Sequence, residues 1–139
     1  DEEKEICRGL ERYGILTGMA YQISDDIADF FKNETQLGKS SDRDIQNQTM
    51  TLLFIRLSQQ GYDYKQVITL DKNEINRLLH ETQSLSYCLQ HIERFCSQAL
   101  EQLRGLRDSK FKTALGSITE SILLKSVAFD SEEIGSVVP

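Results

Sequence analysis

The chain predicts an all-α fold, a helical bundle or half of one. Three observations point there: apolar residues recur at helical spacing, no stretch keeps a strand-like alternation, and turn formers cluster at only a few places. With 139 residues, 39% of them hydrophobic and one proline, it can bury a core, and residues 1–139 are expected to form a single unit.

The first helix is expected from Asp1 to about Lys32. Ile6, Leu10, Tyr13, Leu16 and Thr17 repeat at helical spacing, and acids occupy the first turn, where the helix dipole favours them. Asn33 to Ser41, NETQLGKSS, is rich in turn formers and closes it, placing Lys39 on a loop near an acidic helix end. Asn47 to Gln60 reads as a second, deeply buried helix, since Met50, Leu52, Leu53, Phe54, Ile55 and Leu57 leave little polar face, and Gly61 ends it. Tyr62 to Leu70 is a connection in which Tyr62 and Tyr64 read as half-buried.

Asp71, with Glu74 three residues on, is a capping pattern. It opens a helical run to about Leu106, interrupted near Ser84, with Leu78, Leu85, Leu89, Ile92, Phe95, Ala99 and Leu103 as its inward stripe. Ser109 caps a last helix to about Ala128, which carries Phe111, Leu115, Ile118, Ile122 and Leu123.

Charge and composition exclude several functions. Sixteen basic and 22 acidic residues give a net charge of −6, and no Lys/Arg cluster appears, which argues against a nucleic-acid or anionic-membrane surface. No apolar run reaches the ~18 residues of a membrane span, and no signal peptide is visible. Cys7, Cys88 and Cys96 are odd in number and lack metal spacing, so they read as reduced, mostly buried thiols of a cytosolic protein. His80 and His91 read as surface or packing residues. The chain opens on Asp1 rather than methionine, which suggests an upstream region.

The most informative stretch is Tyr21 to Lys39, YQISDDIADFFKNETQLGK. On a helix, Asp25 and Asp29 lie one above the other, Asp26 is within reach of both, and Gln22 stands a turn earlier. Like charges so close repel by a few tenths of a kcal/mol per pair, so the arrangement calls for something positive among them. Magnesium suits hard carboxylate oxygens and completes its shell with water and substrate phosphate. Followed backwards, the same stripe carries Gly18 and Gly14. Each glycine costs a helix about 1 kcal/mol relative to alanine, and either a cleft wall or tight helix packing accounts for them.

Tyr13-Gly14, Gly18-Met-Ala-Tyr-Gln22, Asp25-Asp26-Ile-Ala-Asp29, Gly38-Lys39 and Asp44-Ile45-Gln46 together resemble, in order and spacing, the second aspartate-rich half of trans-isoprenyl diphosphate synthases, the polyprenyl synthetases. The resemblance covers essentially the whole chain and matches only the C-terminal half of the family's isoprenoid synthase fold. It implies a magnesium-dependent prenyltransferase that joins isopentenyl diphosphate to an allylic diphosphate and works as a homodimer or heterodimer. Asp25, Asp26 and Asp29 would form the second metal-binding motif, with Gln22 orienting groups beside it, Lys39 contacting the leaving diphosphate, and Asp44 a more distant acid for metal-bound water.

The departures open a second reading. The first aspartate-rich motif and the groups that grip isopentenyl diphosphate lie outside this chain. Thr49 stands where many relatives have a lysine ahead of Thr-Leu-Pro, and Lys125 lies near where relatives often place a final arginine. The intact DDxxD favours a catalytic half. Thr49 favours a non-catalytic or partner-completed subunit that modulates another synthase. Terpene cyclisation, which uses similar metal chemistry, is a weaker third.

Overall fold

The structure, a computed structural model, describes residues 1–36 and 51–135, and among these it contains helices and no strand. In order they are α1 (Glu2–Gln36), α2 (Leu52–Gln59), α3 (Tyr64–Val67), α4 (Lys72–Glu81), α5 (Ser84–Leu103) and α6 (Lys110–Gly135). The all-α class holds. α1 runs unbroken through both glycines for 35 residues, about 52 Å at 1.5 Å per residue.

The chain divides into two compact units, Asp1–Ser24 with Leu89–Pro139, and Asp25–Cys88. In the first, Tyr13 and Leu16 of α1 pack with Ala99 and Leu103 of α5, flanked by the half-buried Phe95, Leu100, Leu106 and Leu115. A polar seam joins α1 to α6. The Tyr13 hydroxyl donates to the Leu115 carbonyl (2.8 Å) and accepts from Thr119 Oγ1 (3.2 Å), and Thr119 also meets the Thr17 hydroxyl at 3.4 Å. Thr119 is fully buried, so these partners replace the water its hydroxyl loses.

The second unit is built around Ile27, Leu53, Leu57, Val67, Ile75, Leu79 and Leu85, all nearly or fully buried. A run of edge-on aromatic contacts links Phe31 to Phe30, Phe30 to Phe54 (5.6 Å) and Phe54 to Tyr64 (4.8 Å). Its helices are short and well capped. Thr51 accepts from the Phe54 amide, and Asp71 and Glu74 close a reciprocal capping box at 2.9 and 2.8 Å. Gly61, at φ 91°, ends α2, with Tyr62 N–H donating to Leu57 O and Gly61 N–H to Ser58 O, the left-handed cap that glycine makes without Cβ strain.

Several expectations are corrected. α2 starts at Leu52 and is less buried than its composition suggests: only Leu53 and Leu57 are buried, Ile55 is exposed and Arg56 half-buried. The connection after Gly61 contains α3, nucleated by an Asp63–Gln66 capping box. The expected interruption near Ser84 is present: Gln83, with a φ of 51°, turns the chain between α4 and α5. Ser109 caps α6 as expected, accepting from Lys112 N–H at 3.2 Å; Ile122 is buried, and so is Phe129, whereas Phe111 (70% exposed) and Ile118 (52%) face outward. Polar and apolar residues are mixed all round α6, and periodicity alone does not choose the inward face of such a helix. All three cysteines are free thiols, Cys88 and Cys96 buried as expected and Cys7 exposed.

Candidate functional site

The acidic stretch is held by the register of α1. Tyr13, Leu16, Thr17, Ala20, Ser24, Ile27 and Ala28 are its buried residues, spaced three and four apart along one side. The line of Gly14, Gly18, Gln22, Asp25 and Asp29 lies roughly 150° round the helix from that side. Its members are exposed, apart from a half-buried Asp25. A Cβ built on Gly14 or Gly18 meets nothing within 4 Å, so among the described residues no helix packs tightly there. The stripe is an open face flanked by the exposed apolar side chains of Ile15, Met19 and Tyr21. Leu16 and Leu53, by contrast, are buried.

Asp25 and Asp29 therefore stand a turn apart on an accessible face, with about 6 Å of rise between them. Among the described residues no group of three or more His, Cys, Asp or Glu side chains converges to hold a metal ion. The donor set suits a cation that takes one or two carboxylates and fills its shell with water and phosphate, which is magnesium's habit, and not a cage made by protein alone. Lys39, Asp44 and Thr49 lie outside the described residues. Lys125 is exposed on α6.

One charged residue near the acids is not singled out by motif. Arg56 interrupts the apolar run of α2, and its guanidinium lies over the Tyr87 ring, 4.7 Å from the centroid. Beside Tyr87 on α5 is Cys88, whose thiol is pushed up to about 12, chiefly by burial, with Arg56 pulling it down and Asp26 pushing it further up. Cys96 is raised by burial alone to about 11. Neither thiol is placed to act as a nucleophile at neutral pH. The only sequence signal for Arg56 was its incongruity, a lone charge between Ile55 and Leu57. A groove of about 410 Å³ between the end of α5 and the start of α6 is lined by none of the α1 acids, and its Lys112 is engaged by Leu106 O and Asp108.

A long helix bearing an outward acidic stripe places the chain in a broad class, the all-α helical proteins. Within that class, residues 1–92 match the model of the polyprenyl synthetase family, and the chain belongs to that family. It is 31% identical over 124 residues to a geranylgeranyl diphosphate synthase of Methanosarcina mazei, covering 86% of this chain and 38% of that protein. It is 29% identical to a geranylgeranyl diphosphate synthase of Saccharolobus solfataricus (79% of this chain, 36% of that one). It is 24% identical to an octaprenyl diphosphate synthase of Haemophilus influenzae (80% and 37%). The chain thus spans less than two fifths of the length of these relatives. No solved structure matches it. No helix among the described residues is long and apolar enough to cross a membrane.

Proposed function

We propose that this chain is the second-aspartate half of a magnesium-dependent trans-prenyl diphosphate synthase, which joins isopentenyl diphosphate to an allylic diphosphate. The observation that carries this reading is the accessible pair Asp25 and Asp29 on the open face of α1, inside the segment that matches the family. Asp25, Asp26 and Asp29 form the acidic motif and Gln22 lies one turn before it. Lys39, on the stretch that follows α1, meets the departing diphosphate. Bound magnesium would neutralise the charge that develops as the allylic diphosphate leaves. The chain's own part is to present Asp25 and Asp29 without covering them, and to carry exposed apolar side chains, Met19 and Ile15, about two and three turns earlier on the same helix, that would help keep water from a carbocation. The remaining helices of the site, and the groups that hold isopentenyl diphosphate, belong to sequence beyond this chain. The assembled enzyme is a dimer in the cytoplasm.

Condensation of labelled isopentenyl diphosphate with a short allylic diphosphate by the full-length protein tests this. Asp25→Ala and Lys39→Ala should each lower turnover about a hundredfold or more while the fold persists, the usual cost of losing a charge aimed at a developing anion. Turnover within threefold of wild type in Asp25→Ala contradicts the assignment. Thr49 supports a second reading, a subunit that modulates a partner synthase. Under it the protein alone is inactive, and Asp25→Ala leaves its effect on the partner unchanged.

A further inference from the structure

Within the second compact unit, one flank of α2 faces the start of α5. Leu53 and Leu57 form the buried line of α2; Phe54 lies to one side of it, against Phe30 and Tyr64, and Arg56 lies to the other, against Tyr87. The half-buried Arg56 guanidinium stacks over the Tyr87 ring, 4.7 Å from its centroid. Stacking occupies the face of a guanidinium and leaves its in-plane N–H groups for acceptors. Arg56 makes no ion pair or hydrogen bond among the described residues, and its Nε is buried as well. A cation drawn partly out of water without a counter-charge is costly, and an anion at the fork offsets that cost.

The first turn of α5 adds to the fork. Helical side chains lean back toward the helix N-terminus, so the Tyr87 ring, and the guanidinium over it, stand beside the start of α5 at Ser84. The amides of Ser84, Leu85 and Ser86 have no acceptor within the helix, and among the described residues the preceding turn supplies none. The Ser84 hydroxyl is engaged with that of Thr82 at 2.6 Å. Ser84 and Leu85 are buried while Ser86 is exposed, so the turn is open at Ser86. Over its 20 residues α5 also brings the positive end of its dipole to this place. A tetrahedral oxyanion fits such a pair of donors, since it can fill the fork and still turn an oxygen to a helix start, whereas a carboxylate spends both oxygens on the fork.

We propose that Arg56, together with the first turn of α5, binds a phosphate-class oxyanion at a site that uses none of the α1 acids and needs no metal. Asp26, whose charge also reaches the neighbouring Cys88, has an interaction of its own and opposes an anion here, so the binding is weak. The site stands whether or not the chain is catalytic. If its anion is a diphosphate, it is a second place for that group, beyond the metal-held one proposed above.

Thermal melting of the full-length protein in EDTA tests this, with inorganic phosphate raised against chloride at constant ionic strength. Phosphate should raise the melting temperature of wild type and of Asp25→Asn alike, because it binds the folded state. In Arg56→Gln the half-saturating phosphate concentration should rise at least about tenfold, the usual effect of losing a charge-assisted hydrogen bond. Arg56→Lys, which keeps the charge and loses the fork, should lie between the two. If phosphate does no more than chloride for wild type, or as much for Arg56→Gln as for wild type, the proposal is overturned; in the first case another group of the complete protein fills the fork. Should Arg56→Gln fail to fold, Arg56→Lys decides, and a half-saturating concentration equal to that of wild type overturns the site.

Pyrophosphate and a short allylic diphosphate, titrated in the same way, distinguish the sources of the oxyanion. Equal affinity for the two, lost equally in Arg56→Gln, supports a site for the free ion. Tighter binding of the allylic compound, also lost in Arg56→Gln, supports a site for a prenyl diphosphate head group. Metal is absent throughout, so the turnover of Asp25→Ala decides the proposed function separately.

Discussion

Substituting Gly18 by alanine pits fold against function at a single methyl group. The new Cβ meets nothing within 4 Å, so no clash offsets the gain from replacing a glycine in the interior of α1. That gain is about 0.5–1 kcal/mol, most of it the backbone entropy that glycine loses on entering a helix. For a protein of 150–250 residues, 1 kcal/mol moves the melting temperature by about 2–4 °C, and the shift is smaller in a longer chain. If the stripe is the wall of a substrate cleft, the methyl intrudes where the prenyl chain or diphosphate must lie. Gly18→Ala in the full-length protein should then melt slightly higher and turn over at least tenfold more slowly. Scanning calorimetry and the condensation assay on one preparation read both. A melting temperature lowered by several degrees would show that the open face is packed tightly in the whole protein and that the glycines serve packing. A stabilised variant with wild-type turnover would refute the cleft wall altogether.

Tyr13→Phe should cost about 1–2 kcal/mol, since it removes a donor to Leu115 O and the acceptor of Thr119 while the ring still fills its place; urea unfolding reads it, and a loss below about 0.3 kcal/mol would show the seam to be idle. Thiol chemistry gives a pH prediction. Cys88 and Cys96 are raised from 9.0 to about 12 and about 11, so their stabilising effect is full below pH 9 and lost as the pH climbs from there toward 12, because the unfolded chain ionises first. Unfolding midpoints measured from pH 8 to pH 10.5 should fall, and less steeply in Cys88→Ala than in wild type once each is referred to its own midpoint at pH 8. At neutral pH a thiol reagent should modify Cys7 rapidly and the two buried cysteines only on unfolding, whereas prompt reaction of all three would contradict their burial.

Much of the architecture was legible because it depends on local chemistry. Asp71 with Glu74, Gly61 and Ser109 are stop and start signals whose backbone partners lie within a few residues, and each acts as read. The face of α1 was legible in part: Tyr13, Leu16 and Thr17 are buried as their spacing suggests, whereas Ile6 and Leu10 of the same repeat are exposed, as are Ile15, Met19 and Tyr21. What escaped depends on distant partners. Phe111 and Ile118 belong to a helix with no polar side to orient it, so only the positions of α1 and α5 determine that Leu115, Thr119 and Ile122 turn inward. Ile55 and Arg56 lie in a run whose composition suggested full burial, and only the packing of α2 leaves Ile55 exposed and Arg56 half-buried. The acids were found because their spacing is a helix property, while the stacking of Arg56 on Tyr87 depends on how α2 and α5 pack. Lys39, Asp44 and Thr49 rest on resemblance, outside the described residues.

The hydroxyls between α1 and α6 also act as a notch. Apolar surfaces slide on one another at little cost, because one methyl group is much like the next. Tyr13 and Thr17 are four residues apart on α1, and Leu115 and Thr119 four apart on α6, so the two pairs mesh in one alignment. A slip by one turn, ~5.4 Å, would leave the buried Thr119 hydroxyl opposite the wrong residue. The seam thus indexes the first part of α1 along its own axis against α6.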